Sequence, residues 1–206
     1  MTTEAAVPPA RRRDRQRDET RRDLAIAALH LATTRGLATV RVPDIAAAAG
    51  VSTRTFNNYF VSKEEAVVWP AAQHAATKAR CLRERPAGEP LGAALVAAIV
   101  EHYRPAAEQG LPEHWLRDFR GLVAKEPSLH GEYLKATGAA ERALADALAE
   151  RMGAGADPLR PRVLAGMVVG AERAAVMYWT ATRHGTLVDT VRAALRQATA
   201  GLDDPA

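Results

Sequence analysis

DIAAAAGVSTRTFNNYF, residues 44–60, is the stretch whose reading decides the fold. Two short segments with helical apolar spacing meet at Ala49-Gly50-Val51-Ser52. Pro43-Asp44-Ile45 opens the first, because proline is pre-set for a first helical turn. Gly50 ends it, since glycine readily takes the left-handed conformation that such a turn requires. Val51 is expected to fill the space between the two helices, and Ser52 caps the second, which runs to about Phe60. Two helices crossing steeply about a short turn with a glycine describe a helix-turn-helix. Ile45, Ala46, Ala49, Phe56 and Phe60 form one apolar face, leaving Thr53, Arg54, Thr55, Asn57, Asn58 and Tyr59 to point elsewhere.

Outward from this unit the helical signal persists. Upstream, Leu24, Ala27, Ala28, Leu31 and Ala32 recur at spacings of three and four, and Gly36 is a C-terminal stop. Downstream, Ser62 and Glu65 stand three apart as a capping box opening a fourth helix, which reaches about residue 85. Pro86-Ala-Gly-Glu-Pro90 reads as a boundary. Helical segments follow at about 91–104, 112–125, 127–151, 159–184 and 186–200. Sustained period-two alternation is missing throughout, so the expected fold is all-α. Residues 1–18, which open MTTEAAVPPARRRDRQ, read as a disordered basic arm because they hold almost nothing to bury. Residues 19–66 are expected to form a three-helix reading domain with a linking helix to about 85, and 87–206 a second helical domain.

The charge is distributed unevenly along the 206 residues. Residues 1–85 carry 15 basic and 9 acidic side chains, a net of +6, whereas 86–206 carry a net of −2. An anionic partner is therefore expected for the front half. The single Cys81 excludes a disulfide framework and fits a reducing compartment. The longest apolar run, Leu91 to Val100, is ten residues, about half of what a membrane helix needs. Thr20-Arg21-Arg22-Asp23-Leu24 resembles a twin-arginine signal, but the following segment is helically patterned and broken by His30, so it reads as a first helix. The histidines have no metal spacing such as HExxH, and no converging acid, base or nucleophile points to an enzyme, so neither metal nor cofactor is expected.

The residues left exposed on the second helix suit double-stranded DNA. Arginine can bridge guanine O6 and N7, asparagine can bridge adenine N6 and N7, and threonine can meet a thymine methyl or a phosphate. The candidate DNA contacts are Arg41, Ser52, Thr53, Arg54, Thr55, Asn57, Asn58, Tyr59 and Lys63. Tyr59 and Lys63 flank the helix end, where phosphate contacts would set the docking angle.

Residues 20–66 resemble the amino-terminal domain of TetR-family transcriptional regulators. The resemblance lies at the AA-x-x-L of the first helix, Gly36, Asp44-Ile45-Ala46, Ala49-Gly50-Val51-Ser52, Thr55-Phe56, Tyr59-Phe60 and Ser62-Lys63-Glu64. It implies a cytoplasmic, nucleoid-associated homodimer, expected to be a repressor, that reads a palindromic operator and is relieved by a small molecule. The alternatives are a small helical enzyme with a structural front domain and an effector-independent DNA binder.

For the second domain the expectations are specific. Gly166, Gly170 and Ala174, a strip of small residues on one long helix, are assigned to a dimer seam together with Leu195. The effector is expected to be apolar or mildly polar. Its candidate contacts are His102, Tyr103, Trp115, Phe119, Tyr133, Met167, Glu172, Met177 and Tyr178. Pro70 lies inside the fourth helix, removes the hydrogen bond to the Ala66 carbonyl, and is expected to kink or end the helix as a hinge.

Overall fold

The computed structural model describes residues 9–103, 115–153, 155, 157–182 and 184–202, with the side chains of residues 9–12 and 102 left aside. Every regular element among them is helical: α1 Pro9–Arg35, α2 Val42–Ala48, α3 Thr53–Asn57, α4 Lys63–Arg83, α5 Leu91–His102, α6 Trp115–Lys125, α7 Pro127–Met152, α8 Leu159–Thr182 and α9 Leu187–Ala198, with a 3₁₀ turn at Leu37–Thr39. Packing divides the chain into two compact units, Met1–Pro70 with Asp118–Glu132, and Ala71–Arg117 with Tyr133–Ala206. The boundary inside α4 coincides with Pro70.

In the first unit most of the predicted stripe of α1 is buried: Leu24 and Ala28 are sealed and Leu31 and Ala32 nearly so, while Ala27 is half-buried and Ala25 and Leu29 are buried beside the stripe. Gly36, at φ +83°, stops the helix by leaving α geometry, and its N–H still donates to the Ala32 carbonyl at 3.1 Å. The start of α1 corrects one expectation. Residues 9–18, read as part of a disordered arm, are helical from Pro9 onward. Proline suits a first turn, arginine and glutamine are good helix formers, and Arg15 pairs with Glu19 one turn on at 3.2 Å. Residues 1–8 lie outside the described part.

Of the two expected effects of Pro70, ending the helix does not occur: α4 continues through the buried proline to Arg83, close to the expected end near 85. Proline forfeits one intrahelical bond, and the packed turns on either side hold the helix together regardless.

The second unit is built on small side chains. Its core joins Ala79 and Leu82 of α4, Ala94, Leu95, Ala98 and Ile99 of α5, and Leu144 and Leu148 of α7 to Leu164, Ala165, Val168, Ala175 and Val176 of α8 and Val191 and Leu195 of α9. Alanine favours helix and lets backbones approach closely, so five helices share one core with few rings. Arg151 secures the turn after α4, donating from Nη2 to the carbonyls of Pro86 and Glu89, each at 2.7 Å. Among the described residues no helix is long and apolar enough to cross a membrane, and no group of three or more potential ligands could hold a metal.

Cys81 packs against this core, and burial pushes its thiol above the ordinary cysteine value, leaving it protonated at neutral pH. A disulfide reagent should therefore label native Cys81 more slowly than the urea-unfolded chain, because the thiolate is the reacting form. Equal rates would show that the thiol is open.

Candidate DNA interface and buried polar cluster

The reading head is assembled by caps. The Arg41 N–H donates to the Asp44 carboxylate at 2.9 Å, fixing the first turn of α2. At its end Gly50, at φ +68°, lets Val51 N–H return to the Ala46 carbonyl at 2.9 Å. Ser52 then caps α3, its hydroxyl accepting from the Thr55 N–H at 3.0 Å and sharing a 2.9 Å hydrogen bond with the Thr55 hydroxyl. Phe56 and Phe60 are sealed behind α3 with ring centres 5.7 Å apart. A helix of five residues is too short to hold itself. The cap and these two rings hold it instead.

This arrangement sorts the predicted DNA contacts. Arg41, Thr53, Arg54, Asn57 and Asn58 are exposed, and the Arg54 guanidinium makes no hydrogen bond or ion pair among the described residues. The hydroxyls of Ser52 and Thr55 are spent on the cap, and Tyr59 is half-buried. Lys63 is occupied inside the head, donating from Nζ to the carbonyls of Leu37 at 2.8 Å and Val40 at 2.9 Å. Two of its three donors thus satisfy the end of the 3₁₀ turn, and one remains for a phosphate.

Sequence reasoning missed two features here. The Arg21 guanidinium lies 5.2 Å from the Phe60 ring centre and 5.8 Å from that of Trp69, and 3.7 Å from the Glu65 carboxylate. It ties α1 to the junction of α3 and α4. Val61 at that junction is 96% exposed, and its N–H donates to Glu65 at 2.7 Å. A lone valine between Phe60 and a capping serine gave no sequence signal of that exposure.

The second unit holds a buried polar cluster. Lys78 and Glu172, 7% and 5% exposed, form an ion pair, and the Tyr103 hydroxyl donates to the other Glu172 oxygen at 2.6 Å. The His74 ring meets Tyr103 and Trp115 edge to face, with centres 5.9 and 5.4 Å apart. Tyr103, Trp115 and Glu172 were expected from the sequence as effector contacts. His74 and Lys78, one turn apart on α4, were not, and nothing in their spacing singled them out.

The other effector candidates scatter. Phe119 is buried in the first unit, Tyr133 is half-buried in the second, and the His102 side chain lies outside the described residues. Met167, Met177 and Tyr178 correct the expectation: they are 37, 63 and 56% exposed on the outer face of α8. They do not line an interior site in this chain, because Leu164, Val168 and Val176 take the inward face. Leu195 errs the other way. Assigned to a dimer seam, it is fully buried in its own core. Gly166, Gly170 and Ala174 do lie on partly or fully exposed turns of α8.

A separate open groove of 510 Å³ lies among Ala145, Ala149, Gly153, Pro158 and Arg162 at the junction of α7 and α8. It holds none of the predicted effector contacts. Glu150 also lines it, and Arg83 binds that carboxyl at 2.7 and 2.8 Å and holds it below its usual range.

Comparison with known proteins agrees with this geometry. The family profile of bacterial regulatory proteins of the tetR family matches residues 26–67, and that of the MftR C-terminal domain matches residues 89–203. The HTH-type transcriptional regulator TcmR of Streptomyces glaucescens is 32% identical over 171 residues, 81% of this chain and 76% of its own. The fatty acid degradation regulator FadR from Bacillus halodurans superposes with a TM-score of 0.61 at 19% identity, over 89% of this chain and 96% of that one. A tetR-family transcriptional regulator from Streptomyces coelicolor does so at 0.55 and 21%, over 89% and 80%. At those identities the two structures speak for the fold alone. With one profile on the reading head, a second over more than half of the chain, and a regulator at 32% identity, the chain belongs to the TetR family and is a DNA-binding transcriptional regulator.

Proposed function

We propose that the protein is a repressor that binds a two-fold symmetric operator as a homodimer and leaves it when a small molecule occupies the second unit. The observation that carries this reading is the capped α3, seated on Phe56 and Phe60, with Thr53, Arg54 and Asn57 exposed together on its outer turns. N-terminal residues of such a helix reach base edges in the major groove, and paired heads read half-sites about 34–36 Å apart. Selection of duplexes from a random library by the full-length protein tests it. Two inverted half-sites about 10 base pairs apart, centre to centre, are expected; recovery of unrelated sequences would overturn the reading.

The dimer seam is assigned to the outer face of α8, where Val163, Met167, Gly170, Ala174 and Met177 follow one another at spacings of three and four. Large apolar side chains exposed along a strip of small ones suit a close helix contact. Ala174→Arg should give a monomer in sedimentation experiments and weaken operator binding at least a hundredfold, the scale of a lost second head. A dimer of unchanged affinity would move the seam elsewhere.

The effector is assigned to the cluster of Tyr103, Glu172 and Trp115, extended by His74 and Lys78. Rings and a few buried polar groups suit a mildly polar ligand. A ligand preferring a conformation with mismatched heads lowers DNA affinity by its differential affinity for the two states. Such a regulator acts in the cytoplasm, at the nucleoid. The domain division proposed for this action is a reading head at 19–66, with α4 as the link, and an effector and dimerisation region at 87–206.

A further inference from the structure

We propose that the N-terminal turns of α1 are a second, sequence-independent DNA contact, in which Arg13 and Arg17 bind duplex phosphates beside the reading head. The inference rests on the head using its α3–α4 junction toward DNA. From residue 13 to residue 19 every side chain of α1 is exposed, so this length of helix serves no core. Residues 9–22 carry seven arginines against three acidic residues, a net charge of +4. Arg15 is engaged with Glu19, whereas Arg13 and Arg17 have no ion-pair partner.

Position along the helix selects these two. Residues 13, 17, 20, 24, 28 and 31 fall on one strip at spacings of three and four. Its lower part, Leu24, Ala28 and Leu31, is the side buried in the head. Continued outward, the same strip reaches Arg17 and then Arg13, and Asp14, Asp18 and Glu19 fall on other sides. Arg21, beside that strip, already touches Phe60 and Trp69 at the α3–α4 junction. One and two turns beyond it, about 6 and 12 Å along the axis, Arg17 and Arg13 extend past the junction that carries Tyr59, Val61 and Lys63. A cationic strip continuing from a DNA-reading surface matches the phosphate backbone in charge.

The test uses the full-length protein and two labelled duplexes, one random in sequence and one recovered by the selection above, titrated by fluorescence anisotropy across a range of salt. R13Q/R17Q removes up to four contacts per dimer, so the slope of log affinity against log salt should become shallower by about 3–4. Affinity at low salt should fall at least tenfold on both duplexes. R13K/R17K should restore the slope, since a phosphate needs only the charge. Gln, Lys and Arg have similar helix propensity, so α1 should persist in both variants, which circular dichroism checks. An unchanged slope and affinity would show a merely solvated helix and overturn the proposal. So would a loss that lysine does not restore, which would indicate base reading by the guanidinium. Failure of the wild-type protein to retain the selected duplex would instead count against the reading head.

Discussion

Glu172→Ala should lower the unfolding free energy by about 3–5 kcal/mol, the scale for removing one partner of a buried ion pair. The size follows from what stays behind. Lys78 is 7% exposed, and its ionic partner among the described residues is Glu172, so the ammonium is left buried without its counter-charge. Tyr103 would also lose the acceptor of its hydroxyl. Removing both charges together behaves differently. Lys78→Met with Glu172→Leu replaces the pair by apolar side chains of similar volume, an exchange that is often neutral or stabilising. The double variant should recover most of the loss, short of about 1 kcal/mol for the stranded Tyr103 hydroxyl. Urea unfolding at one fixed protein concentration reads the cycle, because dimerisation adds to apparent stability. If Glu172→Ala costs less than about 1 kcal/mol, the range of an exposed pair, the cluster is open to water and is not a sealed polar core. The same double variant also separates stability from response. It should bind operator as the wild type does, yet no longer be released by a molecule that stabilises the wild type in a thermal-shift screen. Normal release would take these two residues out of the effector site.

The reading head was legible because its signals are local. Gly50, Ser52 and the spacing of Phe56 and Phe60 each specify a conformation within a few residues, so turn, cap and buried face could be read directly. α8 shows where such reading stops. Its inward face carries Leu164, Ala165, Val168, Ala175 and Val176, and its outward face Val163, Met167, Ala174 and Met177. A helix apolar on two sides does not reveal which side its own chain covers, so Met167, Met177 and Tyr178 were placed inside. Leu195 was within reach of correct reading. On α9 the buried Val191 and Leu195 stand one turn apart, while Asp189, Arg196 and Gln197 face solvent, so its single apolar side had to turn inward. The buried ion pair was not legible. Lys78 and Glu172 are 94 residues apart, and only tertiary packing of α4 against α8 brings an ordinary surface-type lysine to a glutamate. For the same reason the assignment of Asp118–Glu132 to the first unit lay beyond any local pattern.

Arg54 was expected to read a base and Lys63 to hold a phosphate, and the structure separates them further. Arg54 is exposed on the first turn of α3 and makes no hydrogen bond or ion pair among the described residues, so Arg54→Ala should leave the head folded. Its effect should fall on base preference: about 1–3 kcal/mol of discrimination lost at one base pair in each half-site, with affinity for random duplex nearly unchanged. Lys63→Ala removes a phosphate donor and also two charge-assisted hydrogen bonds, to the Leu37 and Val40 carbonyls. Each such bond contributes about 1.5–3 kcal/mol, so the head should lose stability as well as uniform DNA affinity. Lys63→Met tests the division, because it keeps the aliphatic stem and removes only the donors. Both Lys63 variants should shift the thermal midpoint downward and flatten the salt dependence by about two per dimer, with base preference intact. An Arg54→Ala protein that discriminates bases as before would take this arginine out of the groove. A Lys63→Met protein of undiminished stability would show that the two carbonyls find water in its place, and Lys63 would then be a phosphate contact alone.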